Sequence, residues 1–467
     1  MRPHWPLLLL LASTWAGAGQ PEADPDVDLP AVQVPRPDPA PPVPTSALPA
    51  PTSTLPVPTS SLPTPTPAPP WRVSGNAELW AYGTATDRTA ASPLNPDNRV
   101  AQLADPQWTG EARINLRVSR DGQELVLRPR ALVQDTPGNG PGTRQAYLSQ
   151  AFVRLRPVAS LTLTAGRDLL TWGPASFRSP SNPLYFDAGR TEPLRDVPGV
   201  DLVRLGWTRG PLTLTDGRVL DAERLEPAPP PPPMSFARLD LHGQDRLLGL
   251  ALATPVNGAP FCGAFAQATL DEAWLAYAEL GSGQRPAALT VSPAPQNLQG
   301  APFTVQTPSP RRETTLLGAS YTLVNGQTAS LEWLHDGHGW TAHEEAQYFT
   351  VAGQTADAFR AAPNGPMAAQ QLGSLGQGLG QAPALLGRDY LSLLWQSNLQ
   401  ETGHYWRLGW THNLQDRGSQ VLAYGEYSLA TRFTAFASLS RNLGGARTEA
   451  ACLFSSSLTL GIKCFVF

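Results

Sequence analysis

From Trp71 onward the chain alternates apolar and polar residues in short runs broken by Gly, Pro, Asn and Asp. Trp71–Tyr82 sets Val73, Ala77, Leu79 and Ala81 against Ser74, Asn76 and Glu78. Ala112–Val118 sets Ala112, Ile114, Leu116 and Val118 against Arg113, Asn115 and Arg117. Glu124–Val133 and Gln150–Arg156 repeat the pattern, with Arg128, Arg130, Arg154 and Arg156 on the polar side. A period of two places successive side chains on opposite faces of an extended backbone, so each run predicts a strand with one apolar and one polar face. A soluble sandwich has the same alternation, and the connections separate the two cases. Tight connections fall at Arg120–Gly122, Arg156–Ser160, Thr208–Pro211, His242–Asp245, Val324–Gly326 and Gln400–Gly403. Between them lie long ones at 84–107, 135–144, 174–199, 223–234, 282–313 and 338–386. Short and long alternate, the asymmetry of a closed sheet with turns at one rim and loops at the other. Both termini at one rim require an even strand count. With the weakest run, Arg447–Phe454, given to the last loop, the expectation is all-β: a closed antiparallel transmembrane β-barrel of about 18 strands, with about 16 as the alternative.

No uninterrupted apolar run reaches the roughly 20 residues of a membrane helix, so a membrane crossing has to be made by strands. The last stretch, Ser455–Phe467, is one such strand long and finishes on Cys-Phe-Val-Phe. Its more apolar phase runs Leu458, Leu460, Ile462, Cys464, Val466. This ending resembles the C-terminal strand of bacterial outer-membrane β-barrels. The resemblance implies an outer-membrane location, lipid around the barrel, recognition of Phe467 by the barrel assembly machinery, and closure of the last strand on the first. Thr171-Trp172-Gly173 followed by Ser181-Asn182-Pro183-Leu184 is similar to porin-like uptake and export barrels. Trp71, Trp80, Trp172, Trp207, Tyr321, Trp340, Trp395, Trp406, Trp410 and Tyr427 fall near strand ends, where a membrane barrel carries its aromatic girdles.

Composition changes the picture mainly at the front. Residues 1–18 read as a signal peptide, with Arg2, an apolar Leu7–Leu11 and the small-residue site Ala16-Gly17-Ala18. Residues 19–70 are rich in Pro, Thr and Ser and hold the repeat PTSALPA, PTSTLPV, PTSSLPT. Proline fixes φ and removes donors, so this is a disordered, polyproline-II-like periplasmic arm that could reach the cell wall. The barrel occupies 71–467. Charged residues make up 15% of the chain, against about 25% in soluble domains, and the net charge of −4 excludes a nucleic-acid footprint. Three cysteines, Cys262, Cys452 and Cys464, leave at least one unpaired and do not form a C-x-x-C motif.

Six arginines are the candidate chemistry. Arg113, Arg117, Arg128, Arg130, Arg154 and Arg156 fall on the polar faces of three consecutive strands, so they line one wall of a lumen and stay charged at any physiological pH. The segment Thr171–Val200 is long and proline-rich, and in general porins a loop of this kind folds inward. It carries Arg178, Asp187, Arg190, Glu192, Arg195 and Asp196, here the candidate constriction. Asp187, Glu192 and Asp196, with Glu332 and Glu426, would face the arginines. For Arg167 and Asp168 the alternation leaves open which points inward. His335, Asp336, His338, His343, Glu344 and Glu345 cluster without a metal-ligand spacing, and the G-x-S-x-G elbow of hydrolases is missing. No catalytic residue, metal or cofactor is therefore assigned. Ala342–Leu386, rich in Ala, Gln and Gly, reads as a loop with a short helix serving as lid or plug. The resulting expectation is a non-enzymatic porin-like channel for small polar or anionic solutes, with oligomerisation left open. The alternative is an envelope barrel that anchors external loops and the arm.

Overall fold

The computed structural model describes residues 70–136, 142–220, 232–285, 287–292, 302–307, 309–398 and 404–466. The expected signal peptide, nearly all of the arm and Phe467 lie outside the described residues. Eighteen strands form one sheet. In chain order these are β1 (Arg72–Arg88), β2 (Gln107–Arg120), β3 (Gln123–Asp135), β4 (Thr143–Val158), β5 (Leu161–Asp168) and β6 (Val200–Arg209). Then come β7 (Leu212–Val219), β8 (Met234–His242), β9 (Arg246–Pro255), β10 (Phe261–Thr269) and β11 (Trp274–Gly283). A separate hairpin, β12 (Ala288–Val291) and β13 (Phe303–Gln306), interrupts the series. The barrel resumes with β14 (Arg312–Thr322), β15 (Thr328–Asp336), β16 (Asp389–Gln396), β17 (His404–Asn413), β18 (Ser419–Ala430), β19 (Phe433–Leu443) and β20 (Phe454–Phe465). Every barrel strand pairs antiparallel with its neighbours, β11 with β14 and finally β20 with β1, where Leu79 lies opposite Cys464 and Ala81 opposite Ile462. The sheet has no free edge, which is the condition for strands to cross a membrane.

The two faces follow the alternation. Leu79, Ile114, Leu163, Leu205, Leu250, Leu331, Leu458 and Leu460 are exposed on the outside, while Glu78, Glu111, Thr164, Glu332, Thr459 and Lys463 are buried within. Tight turns sit at one rim. Asp121-Gly122 is a two-residue turn with φ of 32° and 76°, the positive pair that such hairpins require, and a Cβ on Gly122 would lie 2.8 Å from the Arg156 carbonyl. Trp71, Trp207, Trp274, Tyr321, Trp395 and Tyr427 are exposed near this rim, and Trp274 packs on Tyr321 at 4.8 Å. The expected girdle needs correction at three positions. Trp80, Trp172 and Trp340 are 4%, 4% and 8% exposed and face inward, because Trp80 shares the phase of Glu78 and the other two belong to loop segments.

Long connections crowd the opposite rim. The β15–β16 connection folds as α1 (Ala342–Ala361) and α2 (Ala368–Gly380). Thr341 caps α1 through a capping box with Glu344, as its T-x-x-E spacing allows. Tyr348, Phe349, Val351 and Ala352 of α1 pack with Leu375 of α2, Leu289 and Phe303 of the hairpin, Leu94 and Val100 before β2, and Cys452 and Phe454 after β19. Thr89 Oγ1 donates to the Ala451 carbonyl at 2.6 Å, joining the first long loop to the last.

Candidate functional site

The polar face of β2–β4 turns inward and places all six singled-out arginines on it, but most are engaged by acids. Arg113 forms a two-pronged pair with Glu111 at 2.7 and 2.9 Å and lies 3.8 Å over the Trp80 ring. Lys463 lies over the same ring at 4.0 Å and pairs with Glu426 at 2.8 Å. Arg117 and Arg154 share Glu124, at 2.7 and 3.0 Å. Arg130 contacts Asp196 at 3.4 Å and the Ile114 carbonyl at 2.9 Å. A register shift at Arg128–Pro129 brings Tyr147, rather than Leu148, opposite Arg130. Arg156 is exposed at the short-turn rim. Asp168 faces inward and accepts from Arg204 at 2.6 Å, whereas Arg167 takes the opposite face and clamps Asp201 at 2.7 and 2.9 Å.

A cavity of about 1160 Å³ opens between this wall and the short-turn rim. Eight arginines and three aspartates line it, among them Arg117, Arg128, Arg154, Arg156, Arg204 and Arg238. Phe152, Trp172 and Phe265 are interleaved, and Arg238 sits 5.1 Å over Phe265. Sequence reasoning passed over Arg204 and Arg238, although both occupy the inward phase of their strands.

Residues 169–199 connect β5 to β6 and are fastened from several sides. Glu279 of β11 accepts from the Ala175 N–H (2.8 Å), the Ser179 hydroxyl (2.7 Å) and the Ser181 hydroxyl (2.7 Å). Glu332 of β15 accepts from the Ser176 N–H at 2.6 Å, the Phe177 N–H at 2.7 Å and the Tyr277 hydroxyl at 2.6 Å. Arg407 of β17 donates to the Arg190 carbonyl at 2.7 Å. Phe177 packs among Tyr277, Leu316, Leu334 and Tyr390, on β11, β14, β15 and β16. The charged residues of the loop pair locally: Asp187 with Arg195 at 2.6 Å and Arg178 at 3.3 Å, and Glu192 with Arg195 at 3.5 Å. Arg190 donates to the Ala175 carbonyl at 2.7 Å. Of the five acids expected to face the arginines, Asp196 does so, at Arg130, whereas Asp187, Glu192, Glu332 and Glu426 are taken up by other donors. Glu279 was missed in the sequence; its signal is a carboxylate in the inward phase of Trp274–Gly283.

The histidine-rich stretch is dispersed. His335 pairs with Asp389 at 2.8 Å, Asp336 with Arg285 at 2.7 Å, and Glu344 serves the helix cap. Among the described residues no group of three or more His, Cys, Asp or Glu could hold a metal ion.

A closed antiparallel sheet with an apolar outer belt, an aromatic rim and a charged interior satisfies the backbone within lipid and leaves a polar lumen, which defines a membrane-spanning β-barrel. Solved structures similar to it include OccAB1 of Acinetobacter baumannii, 11% identical with a TM-score of 0.49, covering 85% of this chain and 97% of that one. OccK11 of Pseudomonas aeruginosa is 11% identical, with a TM-score of 0.45 and coverage of 85% and 96%. A triple mutant of the Rhodopseudomonas blastica porin is 11% identical, with a TM-score of 0.38 and coverage of 84% and 100%. No protein-family model and no curated protein matches the chain.

Proposed function

We propose that the barrel is a porin-like channel that passes small polar and anionic solutes across the outer membrane, with residues 174–199 as its constriction. The observation that carries this is the cavity in which eight arginines outnumber three aspartates. A water-filled space walled by low-dielectric protein focuses the field of such charges and raises the local concentration of anions. Guanidinium forks match carboxylate and phosphate groups in both shape and charge. The loop supports the reading because its bonds to Glu279, Glu332 and Arg407 reach strands remote from β5 and β6 along the sheet. Phe467 is proposed to be the residue that the assembly machinery reads. The test is the reversal potential across a planar bilayer in a salt gradient. Changing Arg128, Arg154 and Arg204 together to Ser is expected to move it towards cation selectivity, since lumenal substitutions tune selectivity. An unchanged reversal potential would overturn the arginine-lined path and favour a barrel that only anchors its loops.

A further inference from the structure

The outer wall carries an apolar belt, and in one sector the belt is broken. On β9 the lipid-facing phase reads Leu248, Leu250, Leu252, and on β20 Leu458, Leu460, Ile462, all exposed. On β7 the same phase reads Leu212, Leu214, Asp216, Arg218, again all exposed. Thr213 and Thr215 of the other phase line the lumenal cavity, so Asp216 and Arg218 point away from it. On β6, Asp201 shares the outward phase of Val203 and Leu205, and Arg167 of β5 clamps it on that side. Four charged side chains, two of each sign, thus stand on the outer face of β5–β7.

Their depth keeps them from the water at either rim. Asp216 is four residues beyond Leu212 at the short-turn end of β7, which is about 10 Å up the barrel for strands tilted by about 40°. Its register row runs through Ala237, Leu252, Cys262 and Ser282 and meets the long-connection rim only at Glu313, five strands further round. At that tilt each strand lifts the row by about 3 Å, which leaves Asp216 about 15 Å below that rim. An outward apolar band is about 25 Å tall, so Asp216 and, one dyad higher, Arg218 fall well inside it. A charge facing lipid is destabilising, most of all near mid-depth.

We propose that the outer face of β5–β7 is covered by a second copy of this chain, in a closed oligomer whose axis runs along the membrane normal. Lipid tails are as apolar as leucine and give two barrels no hydrophobic drive to associate, so an assembly within lipid gains from close packing and from pairing polar groups. The partner must therefore bring charges of both signs at this depth. A copy rotated about the membrane normal does so by symmetry, because rotation keeps every residue at its own depth. The patch is neutral in sum, so two copies of it attract as readily as they repel, and a guanidinium fork finds a carboxylate across the contact. The inference needs a membrane-spanning barrel and does not depend on what the barrel conducts.

The experiment puts a benzophenone maleimide on V203C in the full chain carrying C262S and C464S, in intact outer membranes. Val203 is exposed, lies opposite Arg218 and leaves all four charges in place. Irradiation is expected to join two copies of the chain from position 203, whereas L250C on β9, labelled in the same way, joins none. Light scattering in mild detergent is expected to give the parent the mass of two or more chains. D216L/R218L, folded by its heat-modifiable migration, is expected to raise the dissociation constant at least about tenfold, since the pairing is lost and leucine gains nothing over lipid. R218S carries the same expectation where the double variant does not insert. A parent with the mass of a single chain, a variant that assembles as well as the parent, or a 203 adduct with lipid alone or with a different polypeptide would overturn the inference.

Discussion

Glu332→Gln is a minimal change that tests whether the β5–β6 loop is held by its carboxylate tethers. Both oxygens of Glu332 accept: Oε1 from the Ser176 N–H and the Tyr277 hydroxyl, Oε2 from the Phe177 N–H. Each oxygen thus has a fixed backbone N–H to accept, as both oxygens of a carboxylate can. Glutamine keeps one acceptor and turns the other into a donor. A hydroxyl can rotate to accept, but a backbone N–H cannot, and there is one on each side. Whichever way the amide is flipped, its NH₂ meets the N–H of Ser176 or of Phe177. A hydrogen bond to a charged group contributes about 1.5–3 kcal/mol, and the surviving bonds fall to the neutral range. The loss is about 2–4 kcal/mol, or roughly 30- to 1000-fold in the ratio of docked to released loop. Amide hydrogen exchange of the peptide spanning 174–186 reads that ratio directly, with peptides from β11 and β15 as internal references. The expected outcome is faster exchange in the loop and unchanged exchange in the strands. Equal protection of 174–186 in variant and parent would refute the tether, and with it the physical basis for a fixed constriction.

Trp80→Ala removes the ring that Arg113 and Lys463 flank at 3.8 and 4.0 Å, across the seam of β20, β1 and β2. Its cost of about 3 kcal/mol should lower the temperature at which the gel-shifted folded form is lost, and an unshifted temperature would contradict it. Among the loops packed at the long-connection rim, burial and then the neighbouring Asp416 and Glu449 push the Glu345 carboxyl up to about 9. Because the folded form holds its proton more tightly than the unfolded one, this group stabilises that packing at low pH and loses that contribution as pH rises through about 9. Protection of α1 amides should therefore fall with pH beyond the intrinsic exchange trend, and Glu345→Gln should flatten the fall. Removing 19–69 should leave heat-modifiable migration and membrane insertion intact, because that stretch has no apolar face to bury.

What could be read from the chain was whatever obeys a period of two. The inward arginines of β2–β4, the outward Leu458, Leu460 and Ile462, the two-residue turn at Asp121-Gly122 and the alternation of short and long connections all follow from strand geometry. What could not be read was who meets whom across the lumen. Glu279 and Glu332 are opposite numbers of a loop about a hundred residues earlier or more, and no local rule pairs them with Ala175 or Ser176. Trp80 was legible but misread: its phase with Glu78 and Asn76 marks it as inward, and its ring chemistry suggested lipid. That Tyr147 meets Arg130 depended on the register shift at Arg128–Pro129, which alternation alone does not reveal.

The packed loop core at the long-connection rim has a consequence in time. Thr89 and Ala451, which it joins, are 362 residues apart along the chain. Bringing such distant points together from an open chain costs about 5 kcal/mol of closure entropy, a cost that closure of β20 on β1 already meets. Leu94, Phe303, Tyr348 and Phe454 can therefore gather only after the strands have zipped and the first has met the last. A core assembled that late lies on the native side of the barrier. Weakening it should leave the rate of insertion alone and hasten the rate at which the finished barrel comes apart.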